Sequence, residues 1–481
     1  MVRSRCRLQI LTEAEIASVH DTSLRVLEEI GVRVEGDRAR SLLLDNGCQA
    51  GKDNLIRIRG SLVNKLLEVR VSEFTLYGRN QNQNITFGQN KVYAHNFGSV
   101  PTLTDIDSGE RREATLEDLA NLIRLKDALP NCHGVYPLVT PRDVEPRLTQ
   151  VVTGAYLVRN TSKPLLVSTS DADETRYIVK ILARVAGGER ELQERPLGAV
   201  MLSPVSPLTF TAEVTEAILD TAAVGVPLLS LPCPICGLTA PMSLAGGLTS
   251  QNAESLAFFV LARLANPAVP LIYGARLGFA DMKSGAAMDG RPDKGMTGAC
   301  ATQMAHFYGM PSDVYGMATA AHVSDIQSGY DKAISGLTAA LAGADLVSGI
   351  GCVGHAILTN YEQVVIDNEI FDAVFKVLKG FEVNEDSLGL EVLKDVMLEG
   401  GNFLAQEHTR RYLRAGEIWK PEIGNLIGWE DWQKMDRESV VDRAKKRVKK
   451  ILAEHQVVPL AAEVDRDIDA IMDECRRELV G

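Results

Sequence analysis

Apolar positions follow two rhythms along the chain. From Thr12 to Ile30 the positions Ile16, Val19, Leu27 and Ile30 keep helical spacing. Thr12, followed three residues later by Glu15, is a capping-box start, and Gly31 stands where a helix C-terminal glycine belongs. Residues 73–93 alternate with Asn and Gly punctuation, which predicts short strands and turns. Residues 1–90 therefore read as an N-terminal α+β extension.

From residue 91 short apolar runs recur, each followed by a helical stretch. They are VYAHNFGS (92–99), HGVYPLV (133–139), PLLVSTS (164–170), LGAVMLS (197–203), VPLLSLP (226–232), PLIYGAR (270–276), DVYGMAT (313–319) and LVSGIGC (346–352). The helices between them carry boundary signals. Thr115 caps a helix to Ala128, Ala212–Val224 ends at Gly225, Gln251–Ala265 stops before Asn266-Pro267, and an Ala-rich stretch from Ile326 ends at Gly343. Eight such runs alternating with helices predict an α/β fold with a parallel sheet, and their number favours a (β/α)8 TIM barrel over residues 91–376. A doubly wound sheet would want a glycine-rich phosphate loop after its first strand, and no GxGxxG occurs there. Residues 377–481 turn charged, and Asp431–His455 and Ala461–Leu479 read as surface helices packed on the barrel.

Composition narrows the function classes. At 481 residues, 45% hydrophobic and 24% charged, the chain is ordinary globular material and not a disordered or fibrous one. A net charge of −12 argues against nucleic acid or an anionic membrane as main partner. Eight scattered cysteines show no disulfide framework. The opening residues hold no apolar stretch long enough for a signal peptide. The expectation is a cytoplasmic protein.

In a barrel, chemistry gathers where the strands end. Asn96 and Phe97 follow the first run, Tyr136 lies in the second, Tyr273 and Arg276 in the sixth, and Tyr315 in the seventh, with His322 beyond. Cys352 and His355 follow the eighth. No paired carboxylates and no GxSxG elbow occur at these ends. Cys233 and Cys236 form a CPIC pair, but the Pro-rich flanks do not place it at a helix start as a redox motif requires. Cys352, His355 and His322 could hold zinc, although no second tight Cys or His pair supports them. Rings with few acids suit a cation, because ring faces attract quaternary ammonium through their quadrupole. Phe97, Tyr136, Tyr273 and Tyr315 are candidate cage walls. Arg276, His355, Asn96 and His322 are candidate donors to a remote carboxylate.

Four longer stretches carry a resemblance: TDIDSGERREATLEDLANLIRLKDALPN (104–131), RNTSKPLLVS (159–168), SDIQSGYDKAISGLTAALAGADLVSGIG (324–351) and NYEQVVIDNEIF (360–371). Together with the opening LTEAEI and the charged C-terminal helices, they resemble the trimethylamine:corrinoid methyltransferase family over essentially the whole chain. The resemblance implies a (β/α)8 barrel that moves a methyl group from an amine to the cobalt of a corrinoid on a separate protein. It implies no tightly bound cofactor in this chain and a homo-oligomer. Family members acting on trimethylamine carry pyrrolysine, and its place here falls around Thr319 to His322. Only the twenty standard residues occur in this sequence. That departure points to the branch without pyrrolysine, whose substrates are quaternary amines such as glycine betaine, proline betaine and carnitine. Glycine betaine, with dimethylglycine as product, is the expected substrate. A zinc-dependent corrinoid methyltransferase and a non-catalytic betaine-binding protein are the alternatives.

Overall fold

The computed structural model describes residues 2–3, 7–169, 171–434 and 436–481. Cys6, Ser170 of the third apolar run and Met435 of the expected Asp431–His455 helix lie outside the described residues. The first helix, α1 (Glu13–Arg25), starts on the expected capping box. Glu15 N–H donates to the Thr12 hydroxyl, and the Glu15 carboxylate accepts from Thr12 N–H at 2.8 Å. Its last turn widens into a π-turn over Val26–Ile30, which closes at Gly31 with φ +91°.

Seven strands form a parallel sheet: β1 (Lys91–Asn96), β2 (Leu165–Ser168), β3 (Gly198–Leu202), β4 (Leu228–Ser230), β5 (Leu271–Ala275), β6 (Ser312–Tyr315) and β7 (Leu346–Ile350). Their order is β1-β7-β6-β5-β4-β3-β2, with Val2–Arg3 added antiparallel to β1. The second apolar run, 133–139, contributes no regular strand. It touches the sheet through single parallel bridges, His95 to Gly134 on one side and Val135 to Leu165 on the other. Pro137 explains this, since it has no N–H to continue a ladder. The Asn96 side chain takes over instead. Its Nδ2 donates to the Tyr136 carbonyl (2.7 Å), and its Oδ1 accepts from the Tyr136 N–H (2.9 Å). The Lys126 ammonium also donates to that carbonyl (2.6 Å).

Ten further helices carry labels in chain order. They are α2 (Leu116–Ala128), α3 (Thr149–Asn160), α4 (Ala172–Ala186), α5 (Ala212–Val224), α6 (Leu244–Ala265), α7 (Pro292–Phe307), α8 (Ile326–Leu341), α9 (Tyr361–Lys379), α10 (Val440–Glu454) and α11 (Ala462–Leu479). Alternation along the strands divides the core in two. Tyr93, Leu166, Met201, Leu229, Ile272 and Leu346 face one side and pack with Leu76, Ile85 and Phe87 of the N-terminal extension. Val92, Val167, Val200, Leu228, Leu271, Tyr273, Val314 and Val347 face the helices. Each fully buried side chain of this size contributes about 1.5–3 kcal/mol.

Two expected boundaries move. The helix expected from Gln251 begins at Leu244, because Ser243 supplies the cap. The single helix expected over 431–455 is broken: Asp436 and Arg437 have positive φ, and Ser439 with Asp442 starts α10 on a capping box. Helices α10 and α11 do pack on the sheet domain. Ala444, Val448 and Ile451 of α10 are buried, and α11 buries Ile468, Ile471 and Cys475. Carboxylates of α11 also pair with Arg159 of α3 and with Arg176, Lys180 and Arg184 of α4. Among the described residues no helix is long and apolar enough to cross a membrane.

Candidate active site

Three of the four candidate rings meet at the C-terminal edge of the sheet. Phe97, one residue past β1, stacks with Tyr136 at 6.2 Å between centroids and meets Tyr315 of β6 at 5.2 Å. Residues alternate along a strand, so Asp313 shares a face with Tyr315. Asp313 is fully buried between two partners. Arg276 Nη2 donates to Asp313 Oδ2 (2.7 Å), and His95 Nε2 pairs with Asp313 Oδ1 (3.0 Å). A carboxylate can only accept, which makes Nε2 the protonated nitrogen of His95. Burial opposes ionisation of Asp313, but the Arg276 charge and His95 outweigh it and hold its carboxyl below the usual carboxylate range.

The ring faces already carry protein cations. The Arg276 guanidinium lies 4.7 Å over Phe97, and the Lys294 ammonium lies 5.1 Å over Tyr315. Lys294 enters from the first turn of α7. It donates to the Leu277 carbonyl (2.6 Å) and stands 3.8 Å from Asp289. Burial lowers the pKa of its ammonium, with Asp289 opposing. Among the described residues no cationic side chain stacks on Tyr136. Burial pushes the Tyr136 phenol up to about 12 and the Tyr315 phenol well above its ordinary value, so both stay neutral near pH 7. Three buried polar atoms here have no hydrogen-bond partner: Arg276 Nε, His95 Nδ1 and the Tyr315 hydroxyl. Orphaned groups of this kind are uncommon in folded proteins, and a bound ligand would satisfy them.

The remaining candidates make other contacts. Tyr273 belongs to the outward face of β5, where its hydroxyl donates to Asn252 Oδ1 (2.9 Å) and its ring stacks on Tyr308. Asn96 is spent on the Tyr136 backbone. Replacing it with Ala should cost about 1–3 kcal/mol, because buried backbone groups lose their partner. A urea titration would read this as a lower midpoint with substrate KM unchanged. A raised KM at unchanged stability would place Asn96 on the substrate instead.

His322 is exposed and His355 half-buried, on the loops after β6 and β7, with their rings 6.1 Å apart. Among the described residues no three His, Cys, Asp or Glu side chains are grouped to hold a metal ion, so Cys352, His355 and His322 do not assemble as zinc ligands. The Cys352 thiol donates to the Phe97 carbonyl. Cys233 is exposed, whereas Cys236 is buried in a two-residue strand paired with Gly278–Phe279. The sequence reading missed Asp313 and Lys294. Asp313 opens its apolar run rather than closing it, and Lys294 lies on a helix. The parity shared by Asp313 and Tyr315 was the available signal.

A separate cavity of about 700 Å³ lies between the 105–121 segment and α10. Its central charges satisfy one another: Arg112 donates to both oxygens of Asp118 at 2.6 and 2.8 Å, and the Tyr361 hydroxyl donates to the same carboxylate. The ring cluster, with its unpaired buried polar atoms, is therefore the better candidate site.

Known proteins match this chain over nearly its full length. The family model described as trimethylamine methyltransferase (MTTB) matches residues 1–480. Trimethylamine methyltransferase MttB of Desulfitobacterium hafniense is 30% identical over 97% of this chain and 94% of its own length. The MttB of Methanosarcina barkeri is 31% identical over 98% and 96%. A glycine betaine methyltransferase from another D. hafniense strain is 29% identical over 98% of both chains. The crystal structure of the M. barkeri monomethylamine methyltransferase (MtmB) aligns over 92% of this chain and 87% of its own, with a TM-score of 0.49 and 11% identity. The chain thus belongs to the trimethylamine methyltransferase (MTTB) family of corrinoid-dependent methyltransferases.

Proposed function

We propose that this protein transfers a methyl group from a quaternary amine bearing a carboxylate, with glycine betaine as first choice, to the Co(I) of a corrinoid carried by a partner protein. We also read the seven-stranded sheet and the 133–139 segment that bridges its two edges as one closed (β/α)8 barrel, with the ring cluster in its mouth. The observation that carries the substrate reading is the charge at that cluster. Arg276 and Lys294 cover two of the three rings, and the fully buried carboxylate Asp313 is held by Arg276 and His95. A bare ammonium would meet two like charges there. A zwitterion brings its own carboxylate to Lys294 and to the unpaired Arg276 Nε, and sets its ammonium against the Tyr136 face.

The chemistry asks little acid–base work of these residues. A quaternary nitrogen leaves as a neutral tertiary amine, so no proton is required, and the phenols of Tyr136 and Tyr315 stay neutral. What remains is orientation: the methyl must face the incoming Co(I) in line with the breaking C–N bond. The substrate's positive charge vanishes during transfer. A cage that gripped the cation tightly would stabilise the ground state over the transition state. A single free ring face is a light grip of that kind.

The test follows methylcobalamin absorbance with free Co(I) cobalamin and a panel of amines. Glycine betaine, or another carboxylate-bearing betaine, should be demethylated. Trimethylamine, choline and dimethylglycine should be poor donors. Trimethylamine reacting as fast as every betaine would overturn the substrate reading. Betaine binding without cobalamin methylation would leave a non-catalytic binding protein.

A further inference from the structure

Asp289 brings a second carboxylate toward the ring cluster, from the segment that joins β5 to α7. Its place is fixed from both sides. Before it, Met288 N–H donates to the Phe279 carbonyl (2.9 Å), and an antiparallel bridge joins Ala280 to Ala287. After it, Gly290 has φ +76°, and a Cβ there would collide with the Asp331 carboxylate. Residues 282–287 are exposed, but only 13% of the Asp289 side chain reaches solvent. Its ion-pair partner is the Lys294 ammonium at 3.8 Å, beyond hydrogen-bond distance. Among the described residues no N–H or O–H donates to its oxygens. Its charge nevertheless faces the cluster. Burial raises the pKa of the Tyr315 phenol and of the Cys352 thiol, and the Asp289 charge adds to the rise at both.

On the reading that the ring cluster binds a carboxylate-bearing quaternary amine, we propose that Asp289 is the counter-charge for the substrate's ammonium. The open Lys294–Asp289 pair then selects betaines whose two charges stand one carbon apart. A zwitterion laid antiparallel along the pair sets its carboxylate on Lys294 and its ammonium beside Asp289. Opposite charges alternate in that arrangement, and none is left buried without a partner. The alignment needs ligand charges about as far apart as the pair's own 3.8 Å. Glycine betaine and proline betaine meet that condition. Carnitine, with several carbons between its charges, does not. The lack of hydrogen-bond donors on Asp289 leaves its charge available to the ligand. A quaternary nitrogen has no N–H, so its methyl groups hold the carboxylate off and the attraction is purely Coulombic. It fades as the positive charge leaves during methyl transfer, so Asp289 stabilises bound substrate more than the transition state.

The experiment is calorimetric titration of the full chain and of Asp289→Asn with three ligands. They are glycine betaine, choline, and 3,3-dimethylbutanoate, which keeps the carboxylate but has an uncharged carbon in place of the ammonium. Asp289→Asn should weaken glycine betaine and choline alike, by roughly tenfold, and leave dimethylbutanoate unchanged or tighter. With free Co(I) cobalamin, the KM for glycine betaine should rise by a similar factor while kcat rises instead of falling. A purely structural role for Asp289 does not produce that split. Carnitine should bind the parent more weakly than glycine betaine, by roughly tenfold or more. Glycine betaine binding more tightly to Asp289→Asn would overturn the proposal and make the carboxylate a competitor for Lys294. Equal losses of all three ligands, or unchanged affinity for all three, would also overturn it. Carnitine bound as tightly as glycine betaine would overturn the selection by charge spacing. A parent that binds none of the three overturns the substrate reading itself, and the part of Asp289 with it.

Discussion

Replacing Lys294 with Met should raise the KM for glycine betaine by roughly 10- to 150-fold, the loss of one hydrogen bond to a charged group at about 1.5–3 kcal/mol. The methionine keeps most of the apolar stem against Tyr315, so the change is confined to the ammonium, its bond to the Leu277 carbonyl and its pairing with Asp289. Choline supplies the opposite sign. It has the quaternary nitrogen without the carboxylate, so removing a nearby like charge should leave its binding unchanged or tighten it. Calorimetric titration of both ligands against parent and variant reads this exchange of preference. Equal losses for betaine and choline would mean that Lys294 only supports the fold. Unchanged affinity for both would remove it from the site.

Asp313→Ala should be the most destabilising single change at the cluster, costing about 3–5 kcal/mol, because it strands the buried Arg276 guanidinium without its carboxylate. Arg276 is only 4% exposed and cannot turn to water without unpacking Phe97. Asp313→Leu combined with Arg276→Met should recover much of the loss, since a matched apolar pair leaves no charge uncompensated. The pH dependence has a definite sign. Arg276 and His95 depress the folded-state pKa of Asp313, so the unfolded chain binds the proton more readily. The pair's contribution is present above the ordinary carboxylate pKa and is lost as pH falls through the depressed folded value. Denaturant midpoints measured from neutral pH down should therefore fall more steeply for the parent than for Asp313→Asn. Parallel slopes would show that the carboxylate is not held ionised by its neighbours.

The contrast between Tyr273 and Tyr315 shows how far local pattern reaches. Both lie inside runs that form strands, and both stood as cage walls. The strands form where expected, but parity separates the rings: Tyr273 sits among Phe259, Tyr308 and Asn252 under the helices, and Tyr315 shares its face with Asp313. A shift of one residue exchanges the two faces. Which face meets the interior depends on how every neighbouring strand is registered. Asn96 makes the same point differently, as a side chain that completes a backbone ladder interrupted by Pro137. Lys294 reaches the cluster from a helix, a position that strand-end reasoning does not inspect.

What the sequence determined by itself was local or carried by long matched stretches. It includes the capping box at Thr12 and Glu15, the helix stop at Gly225, the alternation of apolar runs with helices, and the family, legible in segments such as 324–351 and 360–371. These depend on dihedral preference, hydrophobic period and residue identity, which a chain carries without folding. Only the tertiary structure decided that Asp313 would join Arg276 and His95, and that protein cations would occupy two of the three rings. His95 and Asp313 are 218 positions apart, and Arg276 and Asp313 are 37 apart. Such contacts arise from the summed free energy of strand pairing and burial across the sheet, which no single stretch of sequence contains.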